Sequence, residues 1–128
     1  MANILLIEDD DLSRYTICKY LKTAGHKVTE AIDGEAGCRL DEQTDFDLIV
    51  TDIVMPMKEG IATIIDIKTR SPKQSIIAIT GGGFEGYGRD TYGHAAGEFG
   101  ADYVLLKPFT EAEFLDCVSE CLEFQAAE

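Results

Sequence analysis

Four consecutive carboxylates, Glu8, Asp9, Asp10 and Asp11, follow directly on the apolar run Leu5-Leu6-Ile7. Like charges that close repel, and each resists losing its water. Three further residues that can do chemistry stand in the same relation to an apolar run: Asp52 after Leu48-Ile49-Val50-Thr51, Thr80 after Ile76-Ile77-Ala78-Ile79, and Lys107, with Pro108 behind it, after Tyr103–Leu106. If those runs end at one place, several carboxylates, a hydroxyl and an ammonium converge there. A hard divalent cation is the usual answer to such repulsion. Mg²⁺ takes oxygen ligands, keeps several waters and often works with phosphate. It holds carboxylates ionised, and without it at least one of their pKa values rises. Lys107 is a point charge suited to a phosphoryl oxygen or an acidic neighbour, and Thr80 offers a hydroxyl that rotates into place. A carboxylate facing metal, ammonium and hydroxyl can act as a nucleophile toward phosphorus. Little else is needed, because phosphoryl transfer depends mainly on positioning and charge neutralisation. Each residue also has a plain reading by itself: Asp52 as a turn residue before Met55-Pro56, Lys107 as a solvated lysine, Thr80 as a strand end. Only joint placement overturns those readings.

The elements that must bring them together are legible in the periodicity. Asn3–Ile7, Asp47–Thr51 and Ser75–Thr80 are short, almost continuously apolar runs, as strands covered on both faces are. Lys27–Ala31 is a weaker strand and Tyr103–Leu106 a fifth. Helical spacing predicts helices over Leu12–Ala24, stopped by Gly25, over Asp33–Gln43, capped by the aspartate, and over Gly60–Arg70, closed by Ser71-Pro72. A further helix is expected near Asp90–Phe99. The last, Thr110–Phe124, opens with a capping box of Thr110 and Glu113 and buries Phe114, Val118, Cys121 and Leu122. Strand and helix alternating in this way call for an α/β fold: a parallel sheet with helices on both faces, and ligands beyond the carboxyl ends of the strands.

The chain of 128 residues suits one domain. A formal charge of −13, with no basic stripe, argues against direct nucleic-acid binding. No run is long enough for membrane insertion and the N-terminus does not read as a secretory signal, so a cytoplasmic address is expected. Cys18, Cys38, Cys117 and Cys121 match no zinc spacing and read as reduced thiols.

Four motifs in order, "ILLIEDD" at 4–10, "DLIVTDIVMPMKEG" at 47–60, "IIAIT" at 76–80 and "GADYVLLKPF" at 100–109, give the chain a clear likeness. It resembles the receiver domain of two-component response regulators over Asn3 to about Phe124. The resemblance implies a flavodoxin-like (βα)5 three-layer sandwich with a central five-stranded parallel sheet in the order 2-1-3-4-5, an order known for a chemotaxis member of that family. It implies that Asp52 accepts a phosphoryl group from a phosphohistidine. Asp9 would be a direct Mg²⁺ ligand, Glu8 would act through water, and the Val54 backbone carbonyl would complete the site with Asp52. Thr80 would move onto a phosphoryl oxygen, and Lys107, ahead of a cis Lys107-Pro108 peptide, would pair first with Asp52 and then with the phosphoryl group. The implied partners are a sensor histidine kinase or a histidine phosphotransfer protein. The expected role is a stand-alone receiver spanning 1–128 with no output domain in the chain. Such a receiver catalyses its own phosphorylation and dephosphorylation, is not a turnover enzyme, and signals by docking or relay.

Two places depart from the family pattern. The position three before the lysine, often aromatic, is Val104. Tyr103 is its neighbour and should face the other side of the sheet. Residues 81–100 hold eight glycines, and the span from Thr80 to Lys107 is longer than usual. Gly81, Gly83 and Gly86 fit a G-x-G-x-x-G fingerprint, with Asp102 at the distance of a ribose-binding acid, so a nucleotide-binding module is a second reading. A degenerate docking receiver that is never phosphorylated is a third, opposed by the intact Asp52, Thr80 and Lys107.

Overall fold

The unbroken apolar runs become the middle of a sheet. The computed structural model describes residues 1–53, 57–81, 97 and 100–127, with the backbone alone at 57–59 and 124–127. Its strands are β1 (Asn3–Ile7), β2 (Lys27–Ala31), β3 (Leu48–Asp52), β4 (Ile76–Thr80) and β5 (Tyr103–Leu106). All neighbours pair in parallel, in the order β2-β1-β3-β4-β5. The three central strands, β1, β3 and β4, are buried almost throughout, whereas the edge strands β2 and β5 keep partly exposed residues. The described helices are α1 (Asp11–Thr23), α2 (Gly34–Gln43), α3 (Met57–Arg70) and α4 (Glu111–Ala127). The segment near 90–99, where a further helix is expected, lies outside the described residues apart from Gly97.

Alternation along the central strands sorts their side chains into two cores. On one face Ile4, Leu6, Val50 and Ile79 meet Ile17 and Leu21 of α1 and Phe114 and Val118 of α4. On the other, Leu5, Ile7, Ile49 and Ala78 meet Ile61, Ile64 and Ile67 of α3, with Leu40 of α2 at the margin. This is the three-layer arrangement that the resemblance implied. Phe114 is fully buried and stacks on Phe109 at a centroid distance of 5.6 Å.

The starts of α1, α2 and α4 are capped. The Asp10 carboxylate accepts from the Ser13 N–H at 2.8 Å, Asp33 does the same for Ala36 at 2.8 Å, and Thr110 and Glu113 close a reciprocal box at 3.0 and 2.9 Å. Gly25, just past α1, takes a φ of +93°, a region other residues avoid. The buried face of α4 differs from expectation in one respect: Cys117 joins Phe114, Val118 and Cys121 in the core, while Leu122 is only partly buried.

Gly60 sets how closely α3 approaches the end of β3. A Cβ there would lie 2.6 Å from the Ile53 Cα, a backbone atom that cannot turn aside. A Cβ at Gly37 would press on the Ile7 side chain, 2.4 Å from Cδ1 and 2.7 Å from Cγ1, with no backbone atom among its nearest neighbours. Gly60→Ala is therefore expected to cost about 1–3 kcal/mol in urea unfolding, an overpacking effect. Gly37→Ala, which displaces a side chain only and is helped by about 1 kcal/mol of helix propensity, is expected to lose less. Equal losses in the two variants would refute this account of α3.

Candidate functional site

The carboxyl ends of β1, β3, β4 and β5 meet at one rim. The registers place Ile7 beside Thr51, Asp52 beside Ile79 and Thr80 beside Leu106. Backbone bonds continue past the strand ends: Ile53 N–H donates to Ile79 O at 2.9 Å, and Lys107 N–H donates to Thr80 O at 2.8 Å. Glu8, Asp52, Thr80 and Lys107, scattered over the sequence, are thereby fixed on a common edge.

Lys107 is the hub. Its Nζ donates to Asp52 Oδ2 at 2.7 Å and to Glu8 Oε1 at 3.4 Å. Both carboxylates are poorly hydrated, with side chains 8% exposed for Asp52 and 1% for Glu8. Glu8 Oε2 also accepts the Asp10 N–H at 3.2 Å, which anchors the start of the acidic turn. Burial, and then the adjoining Asp52, through a hydrogen bond and like charge, push the Glu8 carboxyl up to about 8, against the Asp10 N–H and the Lys107 ammonium. Burial also works against the Lys107 charge, but the bonds and attraction of Asp52 and Glu8 outweigh it and hold the ammonium above its ordinary pKa.

Thr80 is buried, and among the described residues its Oγ1 has no hydrogen-bond partner. An unsatisfied buried hydroxyl is uncommon and calls for a reason. Here it stands one backbone hydrogen bond from Lys107. The Lys107-Pro108 peptide is cis, as the resemblance implied.

Not every candidate joins the cluster. Asp9 is exposed, and among the described residues no three His, Cys, Asp or Glu side chains are arranged to hold a metal ion together. The Val54 carbonyl lies outside the described residues, as do Gly83 and Gly86 of the glycine fingerprint. Asp102, the acid that fingerprint requires, is engaged elsewhere. It accepts the Ile76 N–H at 2.9 Å and pairs with Lys68 at 3.2 Å, at the opposite end of β4 from Gly81. That placement removes the ribose-binding half of the nucleotide reading. Tyr103 and Val104 do face opposite sides: Val104 packs against the α3 core and Tyr103 hydrogen-bonds Glu120 of α4. The cysteines are all unbridged.

One residue beside the site went unmarked in the sequence. Arg14, in the first turns of α1, donates to the Glu8 carbonyl at 3.0 Å and to Asp11 Oδ1 at 2.6 Å. Opposite charges three apart on a helix, Asp11 and Arg14, were the available signal.

The chain is similar to known proteins in sequence and in fold. The family model for the response regulator receiver domain matches residues 4–119. Protein CcdB of Bacillus subtilis (strain 168) is 32% identical over 123 residues, covering 95% of this chain and 98% of that protein. A cyclic di-GMP phosphodiesterase of Thermotoga maritima is 32% identical over 105 residues, and there the matched region is 82% of this chain but only 27% of the longer protein. The solved response regulator receiver domain protein of Clostridium thermocellum superposes with a TM-score of 0.86 at 25% identity, over 99% of this chain and 98% of that one.

Proposed function

Because this chain belongs to the response regulator receiver family of two-component signalling, we propose that it accepts a phosphoryl group on Asp52 from a phosphohistidine, in a Mg²⁺-dependent reaction. The observation that carries the proposal is the Asp52–Lys107 ion pair of 2.7 Å with Glu8 alongside it at the rim. An Asp52 carboxylate oxygen attacks phosphorus. The phosphorus–nitrogen bond of the donor breaks, and the imidazole leaves with the bonding pair and takes up a proton. Lys107 neutralises charge first on Asp52 and then on the phosphoryl group. Thr80 contributes its hydroxyl as a donor to a phosphoryl oxygen. Hydrolysis of the acyl phosphate by water returns Asp52 to its starting state, so the chain is modified and reset rather than acting as a turnover enzyme.

The donor set fits a hard cation: only oxygens, and two carboxylates, one of which is held protonated to about pH 8 by burial first and then by the bond and charge of its neighbour. Glu8, Asp9, Asp52 and the Val54 carbonyl would hold Mg²⁺, which would screen the charge that gathers on the phosphoryl oxygens. Residues 1–128 act in this proposal as one receiver unit, whose output is docking to a partner protein or relay to a second histidine. A groove of about 530 Å³ beside Lys107, lined by Leu12, Thr16, Tyr20, Pro108 and Phe109, offers a partner contact at the reacting rim. No helix among the described residues is long and apolar enough to cross a membrane.

Acetyl phosphate, a small phosphoryl donor, tests the proposal. The intact protein is expected to gain the mass of one phosphoryl group with Mg²⁺ and to gain none with EDTA. Uptake that ignores the metal would overturn the cation's role.

A further inference from the structure

We propose that Arg14 is a positioning residue that holds the acidic turn 8–11 in the conformation the reaction needs. Its guanidinium spans the turn. Nη1 donates to the Glu8 carbonyl at 3.0 Å, Nη2 to Asp11 Oδ1 at 2.6 Å, and Nε faces Glu30 of β2 at 3.5 Å. The side chain is only 17% exposed although it carries a full charge. Its own backbone N–H donates to Asp10 O at 2.9 Å, so the residue that grips the turn is also part of the helix the turn leads into.

The physical need is plain. Asp9, Asp10 and Asp11 repel one another, and a turn carrying them would open toward water without an opposing restraint. Asp10 is tied down by its cap on Ser13, and Glu8 by burial, Lys107 and the Asp10 N–H. Asp9 lies between them, with Arg14 bonded to the carbonyl of the residue before it and to the carboxylate two residues after it. Arg14 thus fixes the backbone on both sides of Asp9 without touching Asp9 or any reacting atom. Arginine suits this because its planar fork serves two acceptors in fixed directions, which an ammonium cannot reproduce. The inference that this turn serves a cation rests on the function proposed above.

The two possible contributions of Arg14 have opposite signs. As a positive charge near a cation site it would weaken Mg²⁺ binding. As a restraint it would strengthen it. Calorimetric titration of Mg²⁺ into wild type, R14Q, R14K and E30Q separates them. Positioning predicts dissociation constants about tenfold weaker in R14Q, and weakened also in R14K, which keeps the charge but loses the fork. E30Q, which removes only the charge facing Nε at 3.5 Å, should match wild type. In metal-free protein, hydrogen exchange at the Asp10 amide should accelerate in R14Q and R14K, with melting temperatures unchanged. R14Q binding Mg²⁺ as well as or better than wild type, or exchange at Asp10 unaltered, would overturn the proposal. Wild type that takes up no Mg²⁺ would defeat the functional reading instead, and the exchange measurement would still decide whether Arg14 holds the turn.

Discussion

Asp52→Ala abolishes phosphoryl uptake: after incubation with acetyl phosphate and Mg²⁺, its intact mass is expected to stay unchanged while wild type gains one phosphoryl group. The expectation is absolute because the substitution removes the nucleophile and leaves no equivalent. Among the described residues Glu8 is the only other carboxylate bonded to Lys107, and its side chain, 1% exposed and also accepting the Asp10 N–H, is closed off from an incoming phosphoryl donor. Asp9 and Asp10 are exposed, and Asp10 is occupied as the cap of α1. The fold should survive, since Asp52 closes β3 at the rim and belongs to neither hydrophobic core. Persistent uptake in the variant would mean that the acceptor has been misassigned.

Metal-free stability should fall as pH rises from about 4.5 to about 8, and Glu8 should be responsible for much of the slope. In the unfolded chain Glu8 loses its proton near the ordinary value of 4.5, whereas in the fold it keeps it up to about 8. Between those limits the native state binds more protons than the unfolded one, so each step up in pH favours unfolding. The contribution is fully present below 4.5 and is lost by the time pH passes 8. Its size is at most about 5 kcal/mol. Urea unfolding in EDTA at several pH values, for wild type and Glu8→Gln, tests this. The variant should be distinctly flatter, and parallel curves would sink the assignment. Asp52→Asn should also flatten the curve, though less, since burial is the larger cause of the Glu8 shift and would remain.

Much of this was legible in the residues, for reasons that also explain the rest. The central strands announced themselves because sheets covered on both faces demand consecutive apolar residues, and Leu5-Leu6-Ile7, Leu48-Ile49-Val50 and Ile76-Ile77 supply them. The start of α3 was less visible. Periodicity places it at Gly60, but the helix begins at Met57, because Lys58 and Glu59 interrupt the apolar spacing ahead of Ile61. Cys117 was missed for a related reason. It completes the spacing of Phe114, Val118 and Cys121, yet its small thiol draws less attention than Leu122. At the site, Glu8, Asp52, Thr80 and Lys107 could be picked out because each ends a strand. The retained proton on Glu8 and the reach of Arg14 could not, since burial and side-chain direction exist only once the chain has folded.

The two bonds that run past the strand ends, Ile53 to Ile79 and Lys107 to Thr80, restrict how this rim can respond. They lock the bases of Asp52, Thr80 and Lys107 into one ladder, in which a slip of a single residue would exchange the side chains of the two cores and misfit both. Any message that starts here must therefore begin as torsion about side-chain bonds. The three groups can pivot toward a newcomer, but the platform beneath them cannot slide.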